Sequence, residues 1–203
     1  MTIKPGLLPV PSPALEPPDL AARLLKGSAA LFPTDTLPAL AASPGQANQL
    51  WRLKKRPADK PLILMAASSE ALFDALGVPP RSEWLELAAW AWPGAVTLVL
   101  PAVGVVAEAL NPGGSSLGLR LPASAEAQSL LRLSGPLATT SANISGCPAA
   151  CTAQEAAQQF PGVPLLAPIP WPLGAGQAST VVAWLAEGGW RVLRAGALLP
   201  PGI

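Results

Sequence analysis

The chain has no histidine among its 203 residues, so neither a Ser-His-Asp nor a Cys-His catalytic device can be assembled from it. Its two cysteines, Cys147 and Cys151, are too few for a disulfide framework and are read as thiols; a zinc site would have to combine them with carboxylates. Charge is scarce, 12% of residues with a net of +1, which is meagre for a dedicated nucleic-acid binder. There is no G-x-x-x-x-G-K-[ST], and "NPGGSSLG" lacks the lysine, which excludes a P-loop. No stretch of about 18 apolar residues is free of Pro, Gly or charge. The prolines of "MTIKPGLLPVPSPALEPP" interrupt the apolar core that a signal peptide needs. A cytoplasmic protein with no membrane partner is expected.

What is present is apolar: half of the residues are hydrophobic, enough for one sizeable core, and a single domain over 1–203 is expected. Short apolar runs alternate with helical segments. Helices are expected in "EPPDLAARLLKG" (16–27), "GQANQLWRLKKR" (45–56), "SSEALFDALG" (68–77), "RSEWLELAAWAWPG" (81–94), "SAEAQSLLRLSG" (124–135) and "TAQEAAQQF" (152–160), from Pro, Ser or acidic residues at their starts and Gly or Pro at several ends. Strands are expected in "SAALFPTDT" (28–36), "KPLILMAA" (60–67), "AVTLVLP" (95–101), "SLGLRLP" (116–122), "PLATTS" (136–141), "STVVAW" (179–184) and "GWRVLRAGA" (189–197). The alternation implies an α/β fold with a mixed sheet. Residues 1–16 and 168–178, rich in Pro and Gly, read as irregular surface segments. Trp84, Trp90 and Trp92, close together at one helix end, read as core.

The polar residues are placed unevenly. "LATTSANISG" (137–146) sets four hydroxyls and an amide behind an apolar strand; such a cluster either caps itself as a Ser/Thr turn or faces a polar ligand. The segment from Arg52 to Lys60 holds five of the thirteen basic residues. As a helix end its cations would complement the helix dipole; the two-residue spacing of Lys54 and Arg56 before a proline also suits convergence on one anion such as a triphosphate. "FPTDTLPAL" delivers Thr34, Asp35 and Thr36 at a strand end, as a local turn or as exposed hydroxyls and carboxylate. Arg120 lies within an apolar strand, where a buried guanidinium needs an anion, from the protein or from a ligand. Arg194 is placed likewise.

In this order, "FPTDTLPAL", "LKKRPADKPLILMAA", "WPGAVTLVLP", "SLGLRLP", "ATTSANISG", "STVV" and "VLRAG" resemble the YrdC/Sua5 family of threonylcarbamoyl-AMP synthases, over 28–198, and the chain looks like the family's short, single-domain kind. The resemblance implies a twisted α/β sheet with flanking helices and a concave, positively charged cavity. It implies a nucleotidyltransferase that joins L-threonine, bicarbonate and ATP, with Mg2+ on the triphosphate, into threonylcarbamoyl-AMP and pyrophosphate. The product serves N6-threonylcarbamoyladenosine formation at position 37 of tRNA, through a downstream threonylcarbamoyl transferase machinery, and tRNA or double-stranded RNA is a possible partner. Carried over by motif, Lys54 and Arg56 are the catalytic pair. Arg56, Lys60, Ser116, Thr139, Ser141, Asn143 and Arg194 bind ATP; Thr36, Arg120 and Ser179 bind threonine. No protein metal site is expected, with Asp35 and Asp59 as guesses for contacts to magnesium.

The chemistry suits a chain without histidine. When a carbamate oxygen attacks the α-phosphorus and pyrophosphate leaves, charge grows on phosphoryl oxygens, so fixed cations and neutral donors matter more than a general base. This chain departs from the family pattern at Asp35 (usually Glu), Pro38 (an aromatic), Ala39 (Gly), Met65 (a histidine in many longer members) and Ala149 (Ser). Pro38 removes a backbone donor and Ala39 adds a Cβ, which reshapes the pocket wall. A non-catalytic RNA- or nucleotide-binding module, and a carbamoyl-transfer relative of hydrogenase maturation, are the rival readings.

Overall fold

The computed structural model describes residues 11–57 and 60–202. The helix starts read from the sequence are built as expected. Helix α1 (Pro17–Leu25) begins on Pro17 and Pro18 with Asp19 in its first turn, where a missing N–H costs nothing and an anion meets the helix dipole. In α3 (Ser69–Asp74), α6 (Ala125–Ser134) and α7 (Ala153–Gln159) the hydroxyls of Ser68, Ser124 and Thr152 accept the N–H groups of Ala71, Ala127 and Glu155, as side-chain N-caps do. Helix α2 (Asn48–Lys54) is shorter than expected: a separate 3-10 turn over Pro44–Gln46 precedes it, and it stops where Lys55 turns left-handed at φ 52°. That reversal aims Arg56 out of the helix, toward the sheet. Helices α4 (Ser82–Ala91) and α5 (Val105–Leu110) complete the set; α5 was not expected.

Ten strands among the described residues join one mixed sheet. They are β1 (Ala14–Leu15), β2 (Ala30–Phe32), β3 (Ala39–Ala42), β4 (Ile63–Met65), β5 (Val96–Pro101), β6 (Ser116–Arg120), β7 (Leu137–Ser141), β8 (Leu165–Leu166), β9 (Thr180–Trp184) and β10 (Trp190–Arg194), in the order β1-β8-β2-β3-β7-β4-β6-β5-β9-β10. Three short strands escaped the sequence reading. β1 lies in the segment read as irregular and pairs with β8; β3 follows directly from Pro38 and pairs with β2 and β7. Two to four residues carry too little periodicity to be recognised without the neighbours that pair with them.

Alternation along the strands decides what each face meets. On one face Leu31, Leu40, Leu64, Leu98, Leu119 and Val182 pack with α2, α3, α4, α5 and α7 in the larger core. On the other, Ala30, Phe32, Ala41, Leu137 and Met65 pack under α1 and α6 through Leu20, Leu24, Leu130 and Leu131. This roof covers β2, β3 and β7. Farther along, the same face presents Thr139, Ile63, Gly118 and Val99 in one paired row, which floors a cavity. The segment 168–178 has no regular structure but is not a surface loop throughout: Trp171 is buried and donates its indole N–H to Leu166 O at 2.7 Å. Trp84 and Trp92 are core, whereas Trp90 is 43% exposed, because it falls on the outer face of α4. Among the described residues no helix is long and apolar enough to cross a membrane.

Leu130 is fully buried between α6 and the sheet. Leu130→Ala should lower stability by about 2–5 kcal/mol, read as a fall in the urea midpoint with an unchanged slope.

Candidate functional site

Two elements bring the first end of the site together. The β2–β3 connection curls so that Thr34 Oγ1 accepts the Thr36 N–H at 3.1 Å and donates to Leu37 O at 2.7 Å, which is the hydroxyl turn that the sequence allowed. Both threonines are buried at 3% exposure. Arg120 reaches this turn from β6: Nη1 donates to Thr36 Oγ1 at 2.7 Å, Nη2 to Asp35 Oδ1 at 2.8 Å, and Nε to Gly94 O at 3.0 Å. Since Arg120 only donates and the Thr34 proton goes to Leu37 O, the Thr36 hydroxyl proton goes to Thr34 Oγ1, 3.0 Å away. Three of the five guanidinium N–H groups are thereby engaged and two remain.

Asp35 answers the question of what accompanies the buried arginine. Its Oδ1 also accepts the Ala123 N–H at 2.9 Å, so it is committed to Arg120 and to the start of the β6–α6 connection. Asp59, the other residue considered for a contact to magnesium, lies outside the described residues. Burial pulls the Arg120 pKa below the usual guanidinium value, and Asp35 pulls it back up. Behind the turn, a Cβ on Gly174 would overlap the Thr34 and Thr36 carbonyl oxygens; glycine there lets 168–178 lie directly on the turn.

The second end is built on α2 and the loop after β7. Lys54 is only 3% exposed; its ammonium donates to Ser141 O, to Asn143 Oδ1 at 3.1 Å and to Ser141 Oγ at 3.4 Å. Asn143 in turn accepts from Ser141 Oγ at 2.7 Å and donates to Ile144 O and Cys147 O. The Lys54 carbonyl accepts the Ser145 N–H at 2.9 Å, and Gly146 turns the chain at φ 84°. The ammonium is thus the hub around which the Ser-Ala-Asn loop folds. Burial, with the Arg56 charge adding to it, pushes the Lys54 pKa down to about 8. Arg56 stands at the cavity wall, donating to Thr140 Oγ1 at 3.1 Å and Pro61 O at 3.2 Å. Lys60 is exposed outside the cavity.

Between the two ends lies a cavity of about 430 Å3, within the range of small-ligand sites. Eight expected site residues line it: Thr36, Arg56, Ser116, Arg120, Thr139, Ser141, Ser179 and Arg194. Lys54 and Asn143 sit behind its wall and Lys60 lies outside it, so the basic segment does not converge on one point; Arg56 is its contribution to the lining. Three guanidiniums and no carboxylate face the cavity among the described residues. The hydroxyls of "TTSAN" bond locally, and those of Thr139, Thr140 and Ser141 also belong to residues that line the cavity. Thr139 donates to Ile63 O at 3.0 Å and Ser141 to Asn143, so the cluster satisfies itself while lining the cavity.

Arg194 is folded back on β9, with Nη2 2.8 Å from Ser179 O, and its pKa is lowered by burial. Ser179 Oγ lies 2.9 Å from Thr97 Oγ1. Thr97, Asn111 and Gly118 line the cavity and were missed. A threonine inside "AVTLVLP" was the available signal for the first. Asn111, which donates to Ser116 O at 2.9 Å, and the side-chain-free floor at Gly118 had none. Cys147 and Cys151 are exposed free thiols, and no cluster of three metal-ligating side chains occurs among the described residues.

A family model described as "Telomere recombination", that of the Sua5, YciO and YrdC proteins, matches residues 22–196. The threonylcarbamoyl-AMP synthase of Pyrococcus abyssi is 40% identical over 142 residues, covering 68% of this chain and 41% of that protein. That of Bacillus subtilis is 33% identical over 171 residues, 80% of this chain and 48% of that protein. The chain therefore spans less than half the length of either. The crystal structure of P. abyssi Sua5 complexed with L-threonine matches with a TM-score of 0.79 at 31% identity, over 94% of this chain and 58% of that one.

Lys54 makes stability depend on alkaline pH with a definite sign. An unfolded lysine near 10.5 binds a proton that the folded one, near 8, has released, so between these values the unfolded state holds more protons and stability rises with pH. Urea titrations from pH 7 to about 11 should show wild type gaining on Lys54→Met across this window, and a flat difference would refute the assignment.

Proposed function

The chain belongs to the Sua5/YciO/YrdC family, and on that premise we propose that it is an L-threonylcarbamoyladenylate synthase, forming threonylcarbamoyl-AMP and pyrophosphate from L-threonine, bicarbonate and ATP. The observation that carries the reading is Arg120, a buried guanidinium tied to Thr36 and Asp35 with two N–H groups to spare, at the other end of the same cavity from Arg56. One end suits an amino-acid carboxylate, which accepts paired guanidinium N–H groups. The other suits phosphate. The P. abyssi relative complexed with L-threonine supports threonine as a substrate.

Threonine bound by its carboxylate at Arg120, with Thr36 and the Ser179–Thr97 pair around it, directs its amine along the cavity. The amine nitrogen bonds to the carbon of bicarbonate, with loss of water and a proton, and gives a carbamate. A carbamate oxygen then bonds to the ATP α-phosphorus as the bond to the β-phosphate bridging oxygen breaks and pyrophosphate leaves. Arg56 faces the charge that grows on the phosphoryl oxygens, and Lys54, through Ser141 and Asn143, holds the loop beside it in place. The walls offer hydroxyls, an amide and guanidiniums but no carboxylate, a donor set suited to magnesium that arrives on the triphosphate and is held by phosphate oxygens and water. The adenylate passes to a threonylcarbamoyl transferase acting on tRNA in the cytoplasm.

Pyrophosphate release with ATP, magnesium and bicarbonate should require L-threonine. Arg56→Ala should lower kcat/KM for ATP by one or more orders of magnitude, since a charge-assisted hydrogen bond contributes about 1.5–3 kcal/mol. Arg120→Lys keeps the charge but loses the fork, and should raise KM for threonine roughly tenfold or more with a smaller effect on ATP. Nucleotide binding without release for any amino acid would overturn the proposal.

A further inference from the structure

A second concave surface lies away from the cavity, between α4 and the β9–β10 hairpin. It is a cleft of about 800 Å3 lined by Trp90, Trp184 and Trp190 together with Glu83, Glu86 and Glu187. Trp90 is 43% exposed; Trp184 and Trp190 pair across the hairpin with ring centroids 5.2 Å apart, edge to face. A concave aromatic surface rimmed by polar residues suits a contact site. Its charge is only partly answered: the Arg81 charge acts on Glu83, but among the described residues no cation lies within ion-pair distance of the three glutamates. Hydrogen bonds from its own N–H and from Ser82 hold the Glu83 carboxyl below its ordinary pKa.

One ring of this wall, Trp184, already has a cation beside it. The Arg81 guanidinium, also in the cleft, lies 5.9 Å from the Trp84 ring centroid and 6.0 Å from that of Trp184, the geometry of cation–π attraction. Three glutamates against Arg81 leave the cleft negative, which repels nucleic acid and selects a cation. Its volume of about 800 Å3 exceeds what one ammonium group fills.

We propose that this cleft docks an arginine- or lysine-bearing segment of a partner protein, its cations lying against Trp90 and Trp190 and facing Glu86 and Glu187. Docking there leaves the cavity open, because the two surfaces share no lining residue.

The test is a fluorescence titration of the full chain with a short peptide of alternating arginine and glycine, and with its glutamate counterpart. Saturable one-to-one binding of the arginine peptide alone, with a change in tryptophan emission, is expected. Trp90→Ala and the double variant Glu86→Gln/Glu187→Gln should each weaken it about tenfold or more, with thermal melting unchanged because all three side chains are exposed. Absence of saturable binding would overturn the proposal, as would equal affinity in the variants. So would a dimer of this chain, dissolved by Trp90→Ala, as the only association seen.

Discussion

The contact on which the rest depends is the Arg120 guanidinium under the β2–β3 turn. It ties β6 to Thr36, to Asp35 and to Gly94 O, and through Asp35 to the Ala123 N–H. Three separate stretches of chain, 35–36, 94 and 120–123, therefore meet at one buried ion pair. Removing either member of such a pair leaves an uncompensated ion in the interior, a cost of several kcal/mol, whereas the intact pair is no great source of stability. Its value lies in geometry: it fixes a forked donor at one end of the cavity.

Lys54 works on the same principle with opposite orientation. Arg120 lines the cavity; Lys54 turns its hydrogen bonds inward, to Ser141 and Asn143. A cation surrounded by neutral acceptors and no carboxylate remains electrostatically unspent, and its charge reaches the cavity through the loop it organises. The anion site proposed for a chain with net charge +1 rests on cations that are few, but desolvated and fixed, with no carboxylate among the described residues of the walls. The acids collect elsewhere, three of them in the tryptophan cleft. The molecule thus has one surface suited to anions and another to cations.

Much of this was legible in the residues. Alternation of apolar runs with capped helical segments is a local signal, and it placed six helices and seven strands near their observed positions. Arg120 stood out because a charge in an apolar strand is expensive without a partner. The strands β1, β3 and β8 were not legible, since two to four residues become strands only through pairing. The grouping of Lys54, Arg56 and Lys60 into one phosphate grip was legible as proximity in sequence, but the left-handed Lys55 turns Lys54 inward and sends Arg56 to the cavity.

By itself the sequence determined the α/β class, the absence of histidine chemistry and the residue types from which the site is made, because these follow from composition, period and motif. Tertiary structure alone decided that Asp35 pairs with Arg120, and that Thr97, Asn111 and Gly118 line one cavity with residues far along the chain. The physical reason is that partnership between buried charges, and the space between strands, depend on sheet order and register. Those belong to the assembled sheet and to no segment of it.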